Sequence, residues 1–173
     1  MPVHIALLRA VNVGGTGKLA MSDLRTLCEE AGFEHVQTYI QSGNVLFHSD
    51  LSAGDAGRLL QAALTTAMGK ATGVMIRSRT QMEQLARNNP FPDAKPNYLM
   101  VNFLPEPAPA DALEKLVVPD GEQVFVAGSE IYVHYPDGSG VSKFKLPALK
   151  NATARNLNTV RKLAELAKAM EER

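Results

Sequence analysis

Val36-Gln37-Thr38-Tyr39-Ile40-Gln41-Ser42-Gly43-Asn44-Val45-Leu46-Phe47-His48 reads as two strands joined by a tight turn. β-Branched, aromatic and apolar residues fill 36–40 and 44–48, and Ser42-Gly43 between them is turn chemistry. Upstream, Leu24, Leu27, Cys28 and Ala31 recur at helical spacing, and Gly32 stops that helix. Before it, residues 3–9 are apolar on both alternating faces, as a central strand covered on both sides requires. Downstream, Ser52 caps a helix carrying Ala56, Leu59, Leu60, Ala63, Leu64 and Ala67, with Asp55 at its third position and Gly69 at its end. Residues 74–77 then form a strand. Strand, helix, strand, strand, helix, strand is the split βαβ pattern of a ferredoxin-like unit, with the helices expected on one face of the sheet.

The second half begins at Thr80-Gln81-Met82-Glu83, which has the form of a capping box, and its short helix stops at Asn88-Asn89-Pro90. A strand is expected over 98–103, then an extended connection through Pro105, Pro107 and Pro109, and a short helix from Asp111 through Val117. Residues 122–127 and 130–135 form a hairpin across Gly128-Ser129. An irregular helix near 142–150, broken by Pro147, precedes a last helix with Leu157, Val160, Leu163, Ala164 and Ala167 along its inner stripe. This order echoes the first half without any residue-level repeat, and no connection is long enough to make the halves independent. The expected architecture is α+β: two closely packed ferredoxin-like subdomains, 1–79 and 80–173, forming one compact unit.

Composition sets the outer limits. A chain of 173 residues, 45% hydrophobic and 21% charged, belongs to the globular class. No run approaches a membrane span. The first residues show neither a basic region nor a cleavage site, so a cytoplasmic location is expected. Cys28 is the single cysteine, which excludes an internal disulfide, suits a reducing compartment and falls on an apolar helix face. A net charge of zero argues against a nucleic-acid binder that uses its whole surface. The charge is uneven, however: Lys143, Lys145, Lys150, Arg155, Arg161 and Lys162 follow one another without an acid, after a region rich in carboxylates. That basic segment either serves an anionic partner or docks on the acidic half.

Three places carry polar chemistry. Arg9 ends an apolar strand where a guanidinium is costly unless paired. The turn after it, Asn12-Val13-Gly14-Gly15-Thr16-Gly17-Lys18, has neither GxGxxG nor Walker spacing. Its glycines nevertheless free successive N–H groups to form an anion nest, with Arg9 and Lys18 adding charge; the alternative is a plain loop. Gln41, Ser42 and Asn44 put amides and a hydroxyl around the hairpin turn, which a turn also wants for its own sake. Thr153, Arg155 and Asn156 precede the last helix, where Thr153 or Asn156 can cap and Arg155 can grip a carboxylate or phosphate. His4, His35, His48 and His134 show no metal spacing, no acid/base pair stands out, and no cofactor is expected. The chain lacks the aromatic-rich strand on which an RNA-recognition sheet stacks bases.

Residues 7–15, Met21-Ser22-Asp23-Leu24-Arg25, Gly32-Phe33 and above all Tyr39-Ile40-Gln41-Ser42-Gly43-Asn44 closely resemble the bacterial domain-of-unknown-function family 1697. Ser142-Lys143 and residues 153–160 resemble its second signature, with Leu157 where the family often has tryptophan and Ala10 where it often has glycine. The resemblance implies ferredoxin-like halves and a bacterial cytoplasmic setting, and it brings no activity with it. Three function classes follow: a protein, with or without catalysis, that holds a small phosphate- or carboxylate-bearing ligand between its halves; a nucleic-acid binder using the basic segment; and a structural or interaction protein. The first is the expectation, with Arg9, Asn12, Gly14, Gly15, Lys18, Gln41, Ser42, Asn44, Arg155 and Asn156 as its ligand-binding residues.

Overall fold

The computed structural model describes residues 1–9, 19–39 and 43–172. It is a mixed α+β structure with two four-stranded antiparallel sheets and four helices among the described residues. The chain divides into two compact units, Met1–Met82 with Leu163–Arg173, and Glu83–Lys162.

In the first unit, β1 (Val3–Arg9) lies between β3 (Asn44–His48) and β4 (Gly73–Ser78), with β2 (Glu34–Tyr39) outside β3. Ala6 faces Val45 on one side and Ile76 on the other. Together with Leu8 and Phe47 they build a core against Leu24 and Cys28 of α1 (Met21–Glu30) and Leu60 and Leu64 of α2 (Ala53–Met68). Phe33 stacks on Phe47, with ring centroids 3.9 Å apart. The opposite face of the sheet, carrying Ile5, Leu7, Leu46 and Met75, is buried as well. The two-sided apolarity of β1 therefore has its expected cause.

Helix ends follow their local chemistry. Ser52 Oγ accepts the Asp55 N–H, and Gly69 ends α2 at φ +71°. After α1, the Phe33 and Gly32 N–H groups return to the Cys28 and Glu29 carbonyls, with Gly32 at φ +94°. The cap of α3 (Arg79–Arg87) differs from expectation. Ser78, not Thr80, is the capping residue: Ser78 Oγ accepts the Gln81 N–H, and Gln81 Oε1 accepts the Ser78 N–H.

In the second unit, β5 (Leu99–Phe103) lies between β7 (Glu130–His134) and β8 (Thr153–Asn156), with β6 (Gln123–Ala127) outside β7. The pairing order repeats that of the first sheet. Strand β8 was not expected. Thr153-Ala154-Arg155-Asn156 is too short and polar to read as a strand, yet it pairs with β5 from Phe103 to Met100. The helix expected at 111–117 is only a series of turns. Lys115 takes φ +60°, Val117 pairs with Lys145, and a segment this short between prolines cannot repay helix nucleation. The irregular helix near 142–150 shrinks to one 3-10 turn, Pro147–Leu149, because Pro147 can start a turn but not continue one. The core of this unit is Leu104, Ile131, Val133 and Leu146, with Phe144 and Tyr135 packed against it. Helix α4 (Leu157–Glu171) follows β8 directly.

Candidate functional site

Arg9 is the last residue of β1 and is half-buried. It stands opposite Gly73 on β4, and a Cβ on Gly73 would lie 3.3 Å from Arg9 Cβ. Glycine at this register position gives the arginine stem its room. On the other side of β1, the Leu8 N–H donates to the Gly43 carbonyl at 2.9 Å. Gly43 has φ +80°, and a Cβ there would meet Leu8 Cβ at 3.0 Å, so both the turn and the close approach require glycine. The start of β3 therefore lies beside the end of β1, and Arg9 and Asn44 belong to the same end of the first sheet. Asn44 is fully buried, and its Nδ2 donates to the Tyr39 carbonyl at 3.1 Å, closing the hairpin. Asn12, Gly14, Gly15, Lys18, Gln41 and Ser42 lie outside the described residues.

Arg155 sits on β8 opposite Val101 and is only 6% exposed. Its Nη1 donates to Thr153 Oγ1 at 2.7 Å and to the Ala154 carbonyl at 2.9 Å. Burial pushes the guanidinium down to about 10. Asn156 Oδ1 accepts the Thr159 N–H at 2.9 Å, so Asn156 caps α4 while Thr153 serves the arginine. Both residues named for ligand contact thus have tasks inside the second unit.

Two groupings escaped the sequence reading. Arg77, on β4 opposite Ile5, is 9% exposed and donates from Nη1 to the Ile76 carbonyl at 3.0 Å. The signal was available: an arginine ends the apolar run 74–77, just as Arg9 ends β1. In the second unit, Ser142 Oγ donates to Glu122 Oε1 at 2.6 Å and accepts the Phe144 N–H at 3.0 Å. Glu122 Oε2 also accepts the Asp120 N–H. The Ser142 hydroxyl holds the Glu122 carboxyl below its ordinary range, which makes it a firm acceptor and a poor proton acceptor for catalysis. Asp120, Glu122, Asp137 and Ser142 line a cavity of about 230 Å³. Among the described residues, no three His, Cys, Asp or Glu side chains are gathered as a metal cluster. No helix of the described residues is long and apolar enough to cross a membrane.

The chain is similar in structure to the conserved bacterial protein SP0830 from Streptococcus pneumoniae, with a TM-score of 0.77 and 24% identity over 96% of this chain and 98% of that one. At that identity the likeness is one of fold. No curated protein matches. The family model described as "Protein of unknown function (DUF1697)" matches residues 1–132, which includes the Tyr39–Asn44 run and leaves Ser142-Lys143 and 153–160 beyond its end. With well over half of its length matched, the chain belongs to the DUF1697 family of proteins of unknown function.

Proposed function

We propose that this protein binds a small phosphate- or carboxylate-bearing molecule at the end of the first sheet where β1 runs into the glycine-rich turn. Arg9 supplies the charge. The turn residues Asn12, Gly14 and Gly15 supply N–H groups, Lys18 adds a second cation, and Gln41, Ser42 and Asn44 orient the ligand. Arg155 and Asn156, on β8 and at the start of α4, have their tasks in the second unit and are not needed for this reading. The single observation that carries it is the position of Arg9: a half-buried guanidinium on a central strand, at the point where three glycines follow within nine residues. The pairing order β2-β3-β1-β4, with α1 and α2 as its connections, supports treating the first unit as ferredoxin-like; the second unit shares the order, β6-β7-β5-β8, but has no α-helix in either connection. The setting that accompanies this reading is a bacterial cytoplasm, which the lone buried thiol of Cys28 suits.

Thermal unfolding in the presence of inorganic phosphate, nucleoside monophosphates and dicarboxylates tests it. A true ligand at a hundred times its dissociation constant adds about 2.7 kcal/mol, which raises Tm by roughly 5–10 °C for a chain of this size. Arg9→Gln should abolish that rise while its own Tm stays near the parent's. A rise of equal size in Arg9→Gln would place the ligand elsewhere, and no rise with any of these anions would end the proposal.

A further inference from the structure

His35 has a backbone conformation that L residues rarely adopt. Its φ is +51°, and it lies at a break in the ladder, where Glu34 pairs with His48 but Gln37 pairs with Leu46. One extra residue is thus inserted in β2, a β-bulge. In a regular strand, His35 would point to the face opposite its neighbour Glu34, and so away from His48. With the bulge, the two imidazoles meet edge to face, their centroids 5.2 Å apart. Backbone strain at a non-glycine residue persists only where the surroundings hold it, and bulges serve to re-aim side chains.

The His48 ring is oriented from behind. Its Nδ1 lies 3.2 Å from the Met1 carbonyl, and a carbonyl can only accept, so Nδ1 carries the proton and Nε2 keeps the lone pair. A backbone carbonyl on one ring nitrogen is the support that metal-ligating histidines commonly have. The spacing also fits. Zinc–imidazole bonds of about 2.0–2.1 Å at a tetrahedral angle put two ring centroids about 5 Å apart. His35 is exposed, so its ring can turn about its side-chain bonds without disturbing a core. Both rings open on a cavity of about 510 Å³ shared with Glu34, Glu171, Met1 and Met170. Its carboxylates favour a cation, though Glu171 is already paired with Arg79.

We propose that His35 and His48 form a two-imidazole chelate for a divalent transition-metal ion, of which Zn²⁺ is the probe. Among the described residues no third His, Cys, Asp or Glu completes the set, so water fills the remaining positions and the site is open. This site is independent of the anion site at Arg9.

Titration of the full chain with ZnCl₂, followed by calorimetry and by the imidazole Cε1–H resonances, tests the assignment. The expected result is one saturable site, with the His35 and His48 signals moving together while those of His4 and His134 stay. His35→Asn tolerates positive φ and should fold normally, yet weaken zinc binding at least about tenfold. His48→Gln, whose amide can still donate to the Met1 carbonyl, should do the same, and His134→Asn should change nothing. Zinc binding of parental strength in His35→Asn or His48→Gln would overturn the proposal. So would the absence of a saturable site in the parent.

Discussion

Arg77 and Arg155 hold the same station in two different sheets. Each lies on the fourth strand of its unit, opposite the third residue of the central strand, Ile5 for one and Val101 for the other. Each turns its Nη1 back to the carbonyl of the residue before it, at 3.0 and 2.9 Å. Two sheets with one pairing order and one buried arginine at one register position form a structural repeat, although the sequences align nowhere.

This equivalence predicts how Arg155 responds to substitution. Arg155→Ala removes the hydrogen bonds to Thr153 and Ala154 along with the packed stem, and should lower stability by about 2–4 kcal/mol. Arg155→Met keeps the stem and should cost less than half of that, because an apolar group suits a buried position better than a broken network does. Urea unfolding with an unchanged m-value checks both. Equal losses in the two variants would mean that the charge, not the stem, holds the position.

Gly43 and Gly32 make a matched pair. Both have positive φ, but a Cβ at Gly32 meets nothing within 4 Å, whereas one at Gly43 meets Leu8 Cβ at 3.0 Å. Gly32→Ala should cost about 1 kcal/mol from backbone conformation alone. Gly43→Ala should cost roughly 2–4 kcal/mol, since β1 and β3 must also separate. Comparing denaturation midpoints decides it, and equal costs would refute the close approach.

Cys28 is fully buried, and burial pushes its thiol up to about 12. The folded state therefore keeps its proton where the unfolded state loses it, so the thiol's contribution is complete below about pH 9 and is lost as pH rises through about 12. Native protein should leave a thiol reagent unconsumed at pH 8 over hours and consume one equivalent in urea. Cys28→Ser should reduce stability by about 1–3 kcal/mol, by placing a hydroxyl in the apolar core.

The Ser142–Glu122 bond makes an acid-sensitive clasp. The Glu122 carboxyl is held below its ordinary range first by the Ser142 hydroxyl, so its stabilising effect is present at neutral pH and disappears as pH falls through the folded-state value. Ser142→Ala should be less stable than the parent at neutral pH, and the gap should close in acid. Urea midpoints for both proteins across an acid series read this directly, and a constant gap would assign the loss to packing.

Regular elements were legible where periodicity and caps agreed. Val3–Arg9 and Asn44–His48 are strands with the expected bounds, and Ser52 and Gly69 bracket α2 as their chemistry demands. Misreadings arose where a tertiary partner overrides local character. Thr153–Asn156 is a strand because β5 offers it an edge, and Ser78 outcompetes Thr80 as a cap because Gln81 can reach back to it. The polar groups of Arg155 and Asn156, read as ligand contacts in the sequence, are ones that a buried network and a helix cap use equally well. The pairing of His35 with His48 had no signal in chain spacing, because it depends on a bulge and on strands meeting across a hairpin.

Residues 163–171, the last part of α4, belong to the first unit, where Glu171 pairs with Arg79 and lines the cavity at His48. Synthesis runs from the other end. While the ribosome is still reading the message, β1 to β4 have emerged, yet the unit lacks one of its segments until residues 163–171 have been made. Until then Arg79 is without Glu171 and the cavity at His48 lacks one wall. A chain cut short before residue 163 would thus take a piece from the unit formed mostly by residues 1–82.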